Sequence, residues 1–372
     1  MSNQTFTIEL LPANQGDAIW VEYGKKSDRR RMMIDGGPID AWPDIETRLM
    51  KLKEGDKRVE LAVITHVDTD HIEGMIRMFA EKRQKWPIAP EDIWFNGYRH
   101  MKESAVLGGR EGDFLSALLH HRAFDKWNKK FGNQAVAADP SKDLPIVELE
   151  GGMKITLLSP SPAKLKSMAN KWIKDSAKHN LKPGDLEKAW EQFLGYTKLH
   201  PDEGTLGGPG EMDEEVRKQL KADQSAANGS SIAFLAEYGG KSCLFLADAH
   251  HSVITAAIKK LIPPGETRLK IDAVKVSHHG SRNNISKAMM ELIDARHFLI
   301  SSSGAKHNHP DEAAVKAIIQ GSLQDPVIWF NYSSEQTLIW KKKPDASLRK
   351  YKAKYPPKGK SGVTIDLFKV YK

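Results

Sequence analysis

The stretch His66-Val-Asp68-Thr-Asp70-His71 sets two imidazoles and two carboxylates within six residues. Crowding such groups costs desolvation and like-charge repulsion unless a cation compensates. The residues before it, Leu61-Ala-Val-Ile-Thr, form a continuous apolar run that reads as a strand buried on both faces. The pattern therefore describes a metal loop following a buried strand, against the rival reading of a polar loop with coincidental spacing. Two further apolar runs end in a ligand-type residue, one at Asp248 and one at His278. Strand ends on a rigid scaffold are where convergent side chains are best presented. His66, Asp68, Asp70, His71, Asp248 and His278 suffice for two divalent cations bridged by a carboxylate such as Asp248. Two close cations would neutralise charge in a displacement and generate hydroxide near neutral pH.

Other polar residues stand near these motifs. Asp17 and Asp35 follow strands and read as acceptors that hold loops around the site, or simply as turn formers. His278 is favoured as a ligand because it ends its strand, with His279 as a neighbouring ligand-holding or substrate contact. His309 is a candidate for protonating a leaving group or binding phosphate, or a structural loop histidine. His250, His251, His120 and His121 read as helix-surface residues, and Lys275 and Arg282 as solvated charges that could also meet phosphate.

The 372-residue chain, 40% hydrophobic, is long enough for one large or two ordinary domains. No apolar run is long enough to cross a bilayer, and the first residues carry no basic and apolar leader pattern. The single Cys243 lies in an apolar run and reads as a small core residue. A cytoplasmic location without membrane insertion is the expectation. The formal net charge of +8 is compatible with a polyanionic substrate such as nucleic acid or a nucleotide.

Strand patterns at Thr5–Leu11 and Ala18–Tyr23 flank the turn Asn14-Gln-Gly-Asp17, and a third strand ends at Ile34-Asp-Gly-Gly37. Helical spacing covers 41–53 and 72–82, with the ligand loop between strand and second helix. Gly108-Gly109 reads as a turn, and 114–131 as a helix. A hairpin spans 146–159. Residues 161–226 are lysine-rich and helical, broken at Gly204–Gly210, and read as an inserted excursion that could dock a protein partner. Strands return at 230–238, 242–248, 271–277 and 297–301, then at 327–330, 336–340 and 363–368, with helices at 252–261, 287–294 and after Pro310. This order divides the chain into 1–160, the insertion 161–226, and 227–372.

In order along the chain, Asn14-Gln-Gly-Asp17, Ile34-Asp-Gly-Gly37, Thr65-His-Val-Asp-Thr-Asp-His71, Leu157-Leu-Ser-Pro160, Asn228-Gly-Ser-Ser231, Leu246-Ala-Asp248, Val276-Ser-His-His-Gly-Ser281 and His309-Pro310 resemble the motifs of metallo-β-lactamase-fold hydrolases. The pattern is most similar to the hydrolase domain of the bacterial competence protein ComEC and its free-standing relatives. The resemblance implies an α/β (α+β) fold, the αββα metallo-β-lactamase sandwich of two stacked sheets with helices outside, here with a helical insertion. The commonest motif of the fold carries His where Asp68 stands and another His near Asn228. With Asp68, and with Asn228 or Ser230 in the other region, one site is richer in oxygen, which favours Mn²⁺ or Mg²⁺ over Zn²⁺. The other, Asp70, His71, Asp248 and His278, is mixed and suits Zn²⁺.

The expected activity is that of a phosphodiesterase or nuclease using metal-activated hydroxide, with Asp70 positioning it and His279 and His309 as further catalytic candidates. The alternatives are hydrolysis of an acyl, lactone or thioester bond, and a non-catalytic component of a multi-protein bacterial system.

Overall fold

The computed structural model describes residues 3–101, 110–200, 225–342 and 347–371. Two large sheets carry the site. The first contains β1 (Gln4–Leu10), β2 (Ile19–Lys25), β3 (Asp28–Ile34), β4 (Leu61–Val63) and β5 (Ile93–Trp94). The second contains β6 (Ile146–Leu149), β7 (Met153–Ser159), β8 (Ala233–Tyr238), β9 (Lys241–Phe245), β10 (Ala273–Lys275), β11 (His297–Ile300), β12 (Val327–Phe330) and β13 (Lys352–Lys354). The last strand, β14 (Val363–Asp366), returns to the first sheet, giving the orders β14-β1-β2-β3-β4-β5 and β13-β12-β11-β10-β9-β8-β7-β6.

Alternation along the strands explains the layers. Phe6, Ile8 and Leu10 of β1, and Leu61 and Val63 of β4, share one buried core with Ile155, Phe234, Leu244 and Val274 of the second sheet. Trp20, Met33 and Ala62 point the other way, into a second core with the helices α1 (Trp42–Met50), α2 (Thr69–Ala80) and α3 (Arg110–Ala123). On the far side, α6 (His251–Leu261) and α7 (Glu312–Gly321) pack Ile254, Ile258, Val315 and Ile318 against the second sheet. This is the αββα sandwich that the resemblance implies.

Within 161–200, α4 (Pro162–Lys178) and α5 (Leu186–Leu194) bury Leu165, Met168, Trp172 and Phe193 in the same core as α2 and α3. Lysine at the outward positions and apolar residues inward make these helices amphipathic layers of the body. The turn at Gly108-Gly109 and the break at Gly204–Gly210 lie outside the described residues.

Three expectations change, and one strand is added. The helix expected over 114–131 ends at Ala123, and two 3-10 turns separated by the left-handed Asn128 follow. The helix expected over 287–294 is one turn, Lys287–Met290, followed by the short strand Ile293–Asp294. Residues 336–340 form a helical turn rather than a strand, because the Ser334 and Thr337 side chains and backbone form a capping box. The edge strand β13 has no apolar alternation to announce it, and pairs in parallel with β12.

Candidate metal centre

The centre lies where the two sheets meet, at the carboxyl ends of β4, β9 and β10. His66, Asp248 and His278 each stand three residues beyond the last residue of one of these strands. β9 and β10 are parallel neighbours with Phe245 opposite Lys275, and the His278 amide donates to the Ala247 carbonyl at 2.9 Å. Sheet register thus sets Asp248 beside His278.

Helix α2 begins at Thr69, so Asp70 and His71 stand in its first turn rather than in a loop. Asp68 occupies the N-cap position with extended backbone, yet its carboxylate makes no cap hydrogen bond. Instead, its Oδ2 lies 3.5 Å from His66 Nε2. Aspartate is a preferred N-cap residue, and here that preference is diverted to the site.

His278 and His279 are consecutive and both left-handed, with φ of 47° and 54°. In extended backbone their side chains would diverge. The strained turn aims both Nε2 atoms at one oxygen, Asp248 Oδ2, at 3.6 and 3.7 Å. His71 Nε2 lies 3.5 Å and His66 Nε2 3.9 Å from that same oxygen. His279 also approaches His71, Nε2 to Nε2 at 3.2 Å, and Asp70 Oδ2 at 3.5 Å. By sequence, His278 groups with Asp70 and His71. The structure sets His279 beside that pair, and sets His278 beside Asp248 and Asn228, whose Nδ2 is 3.5 Å from His278 Nδ1.

All four histidines are held from behind by Nδ1. His71 Nδ1 is 2.8 Å from Asp35 Oδ2, His278 Nδ1 is 2.8 Å from Asn284 Oδ1, and His279 Nδ1 is 3.0 Å from the Ser301 carbonyl. His66 Nδ1 is 3.0 Å from Thr65 Oγ1, which in turn donates to Asp35 Oδ2 at 2.8 Å. Each Nδ1 is therefore placed to carry a proton, which leaves Nε2 as the atom that can turn a lone pair inward to a cation. Asp35, fully buried at φ 57°, accepts from Thr65 and His71 and couples the two ends of the motif.

The electrostatics agree. Burial opposes ionisation of Asp248 and Asp70. The imidazoles of His278, His71 and His279 around Asp248, and of His71 and His279 around Asp70, nevertheless hold both well below the usual carboxylate range. Burial likewise opposes the charged form of His71 and His279. The surrounding carboxylates raise His71 well above its ordinary value and push His279 up to about 10. Carboxylates and imidazoles thus stabilise one another's charges at one buried point, where a cation could take the place of the imidazole protons. His66 Nε2 and Asp248 Oδ1 are buried there without a hydrogen-bond partner, as a cation would require. The donor set and these two orphaned atoms fit a metal, and two triads, His66–His71–Asp248 and Asp70–His71–His279, have ligand atoms clustered within 4.8 Å.

Asp17 and Lys275 complete the surroundings. A Cβ on Gly16 would lie 1.8 Å from the Asp70 carbonyl oxygen, so only glycine lets the turn before Asp17 close against α2. Lys275, read from sequence as a solvated charge, is fully buried on β10 and donates to Asp17 Oδ2 at 2.6 Å. A lysine flanked by valines inside a strand was the available signal. His250 is likewise buried rather than on the helix surface, between Lys164 Nζ at 2.8 Å and the Ser225 carbonyl at 2.9 Å. His120, His121 and Arg282 are exposed, and Cys243 is a buried core residue of β9.

His309 stands at the rim. Its ring centroid is 5.8 Å from that of His278, and its Nδ1 is 3.7 Å from Asp311 Oδ2. His307, a loop histidine with no motif around it, lies beside it at 6.1 Å between ring centroids. Thr65, Asn284 and Ser301, small polar residues after strands, give no metal-ligand signal of their own.

No family model matches the sequence, and neither does any curated protein. Among solved structures, a mutant of the CmlA beta-hydroxylase aligns at TM-score 0.36 and 11% identity, over 98% of this chain and 54% of that one. The chain thus spans about half the length of that protein. A protein of unknown function from Enterococcus faecalis V583 aligns at TM-score 0.30 and 10% identity, over 94% and 76% of the two chains. These likenesses are too slight to carry function, and the fold rests on the sheets and helices themselves.

Proposed function

We propose that the chain is a metal-dependent hydrolase whose centre holds two divalent cations and cleaves a phosphodiester bond. The observation that carries this reading is the convergence of four Nδ1-anchored histidines on Asp248 Oδ2 at 3.5–3.9 Å. His66, Asp68 and His278 would hold one cation, and Asp70, His71 and His279 the other, with Asp248 between them. The close approach of His279 to His71 and Asp70 supports a ligand role for His279 in place of direct contact with substrate. When bound, the pair supplies an activated water and neutralises charge developing on phosphoryl oxygens. Asp68 gives the first site an oxygen ligand where nitrogen is commoner, which favours Mn²⁺ or Mg²⁺ there.

The chain's own groups do the remaining work. Asp35, Thr65, Asn284 and the Ser301 carbonyl fix the four imidazoles in direction through Nδ1 and leave Nε2 for the cations. Asp70 accepts a hydrogen bond from the attacking water and orients it. His309, at the rim beside His278, is the candidate to deliver a proton to the leaving oxygen.

The test is a substrate panel on protein loaded with Mn²⁺ or Zn²⁺: single- and double-stranded DNA, RNA, cyclic dinucleotides and a chromogenic phosphodiester, beside lactone, thioester and ester substrates. Phosphodiester cleavage lost in Asp70→Ala/His71→Ala supports the reading. Cleavage of the acyl substrates alone reverses it.

A further inference from the structure

The segment from Lys341 to Lys360 holds nine lysines and arginines against the single Asp345, a net of +8. The formal net charge of the entire chain is also +8. Outside this segment, acids and bases therefore cancel. The basicity of the protein belongs to one strip, not to lysines spread over its helices.

The fold gives the described part of that strip, 341–342 and 347–360, a definite place. It contains β13, the edge strand of the second sheet. Register runs straight across the sheet, with Lys275 opposite Leu299, Leu299 opposite Trp329, and Trp329 opposite Lys354. Lys354 is thus level with the residue from which the chain runs on to His278. Three strand spacings separate them, about 14 Å. All four strands are parallel, so the carboxyl end of the basic edge and the metal centre face the same way.

An open groove of about 500 Å³ runs along this edge, lined by Lys341, Lys350, Lys352 and Lys354 with Tyr351 and Tyr355 between them. None of these lysines makes an ion pair among the described residues. Both tyrosines are partly exposed and held at their hydroxyls, Tyr351 by the Trp340 carbonyl at 3.1 Å and Tyr355 by the Thr337 carbonyl at 2.7 Å. Unpaired ammonium groups interleaved with fixed aromatic rings in a concave groove match the physical needs of a single nucleic-acid strand, charge for phosphates and π-faces for bases. A lipid surface is flat and would not follow a concave groove, whereas a single strand can lay its phosphates and bases along one.

We infer that the β13 edge is a binding platform for single-stranded nucleic acid that leads the strand toward the metal centre. This rests on the phosphodiesterase reading and sharpens it: the substrate is a strand of several nucleotides, not a mononucleotide.

Binding is measured by fluorescence anisotropy with the full chain and a labelled oligothymidylate about 20 nucleotides long, in EDTA, so that cleavage plays no part. Lys350→Gln/Lys352→Gln/Lys354→Gln is expected to weaken binding by about tenfold or more and to lower the slope against log salt by about 2. Lys166→Gln/Lys174→Gln/Lys182→Gln removes equal charge from exposed positions on and after α4 and is expected to change affinity by less than about threefold. His278→Ala is expected to bind as wild type does. An unchanged thermal melt for the β13 variant excludes misfolding, and its hydrolysis of a chromogenic phosphodiester stays at the wild-type level.

Equal losses in the two lysine variants overturn the inference, as does wild-type binding by the β13 variant. Loss of binding to phosphatidylcholine–phosphatidylglycerol vesicles without loss on the oligonucleotide also overturns it, in favour of a membrane surface. Oligonucleotide binding by wild type with no cleavage under Mn²⁺ leaves the platform standing and sinks the catalytic reading instead.

Discussion

Lys275 Nζ lies 2.6 Å from Asp17 Oδ2, both groups fully buried and 258 residues apart in the chain. This ion pair joins β10 of the second sheet to the turn before β2 of the first. The other oxygen of Asp17 faces His279 Nδ1 at 3.6 Å. Burial opposes the charge on Asp17, yet Lys275 and His279 hold its carboxyl well below the usual range. The pair fixes the seam between the sheets where the histidines converge.

Removing one partner leaves the other charged and buried, which costs about 3–5 kcal/mol. Lys275→Met is therefore expected to lower the urea midpoint sharply. Asp17→Asn/Lys275→Met, with neither charge left, is expected to recover most of the loss. A double-mutant cycle with independent, additive effects would contradict the coupling.

Asp35 serves His71 directly and His66 through Thr65. Asparagine tolerates the left-handed backbone at this position, so Asp35→Asn tests the carboxylate alone. Losing such a partner is expected to weaken metal affinity about 10- to 100-fold, read by competition with a chromophoric chelator. Affinity within twofold of wild type would show that the imidazoles need no carboxylate behind them.

Away from the centre, Asp113 of α3 is pushed up to about 6 by burial, with Ser176 Oγ of α4 at 2.7 Å. Its folded value lies above that of the unfolded chain, about 3.9. The native state thus holds the proton more tightly, and stability falls as pH rises from about 4 to about 6, then levels, a loss of about 3 kcal/mol. Asp113→Asn is expected to flatten that part of the curve of urea midpoint against pH. A variant that keeps the wild-type slope would assign it to another group.

Much of this was legible in the sequence. Apolar runs ending at His66, Asp248 and His278 gave both the strands and the ligands, because a strand buried on two faces must be apolar until it leaves the sheet. Three things were hidden. Which of His278 and His279 meets Asp70 depends on a left-handed turn that no periodicity encodes. The depth of Lys275 depends on Asp17, a partner 258 positions away. The edge strand β13 was hidden for the opposite reason: it is Lys-Ala-Lys, without an apolar run, and only the register with β12 makes it a strand.

His278 and His279 sit on the two sides of Asp248, and their single variants should separate the two sites. His278→Ala is expected to retain one cation, held by Asp70, His71, Asp248 and His279. His279→Ala is expected to retain one held by His66, Asp68, Asp248 and His278. Elemental analysis after dialysis reads this directly. Full metal content in both variants would remove the histidine pair from the ligand set.

The most direct test of the central claim is calorimetric titration of metal-stripped protein with Mn²⁺ and with Zn²⁺. The geometry around Asp248 Oδ2 predicts two equivalents bound, with protons released from His71 and His279, and no tight site in Asp248→Ala. Absence of binding by wild type, or binding that Asp248→Ala leaves unchanged, would contradict it.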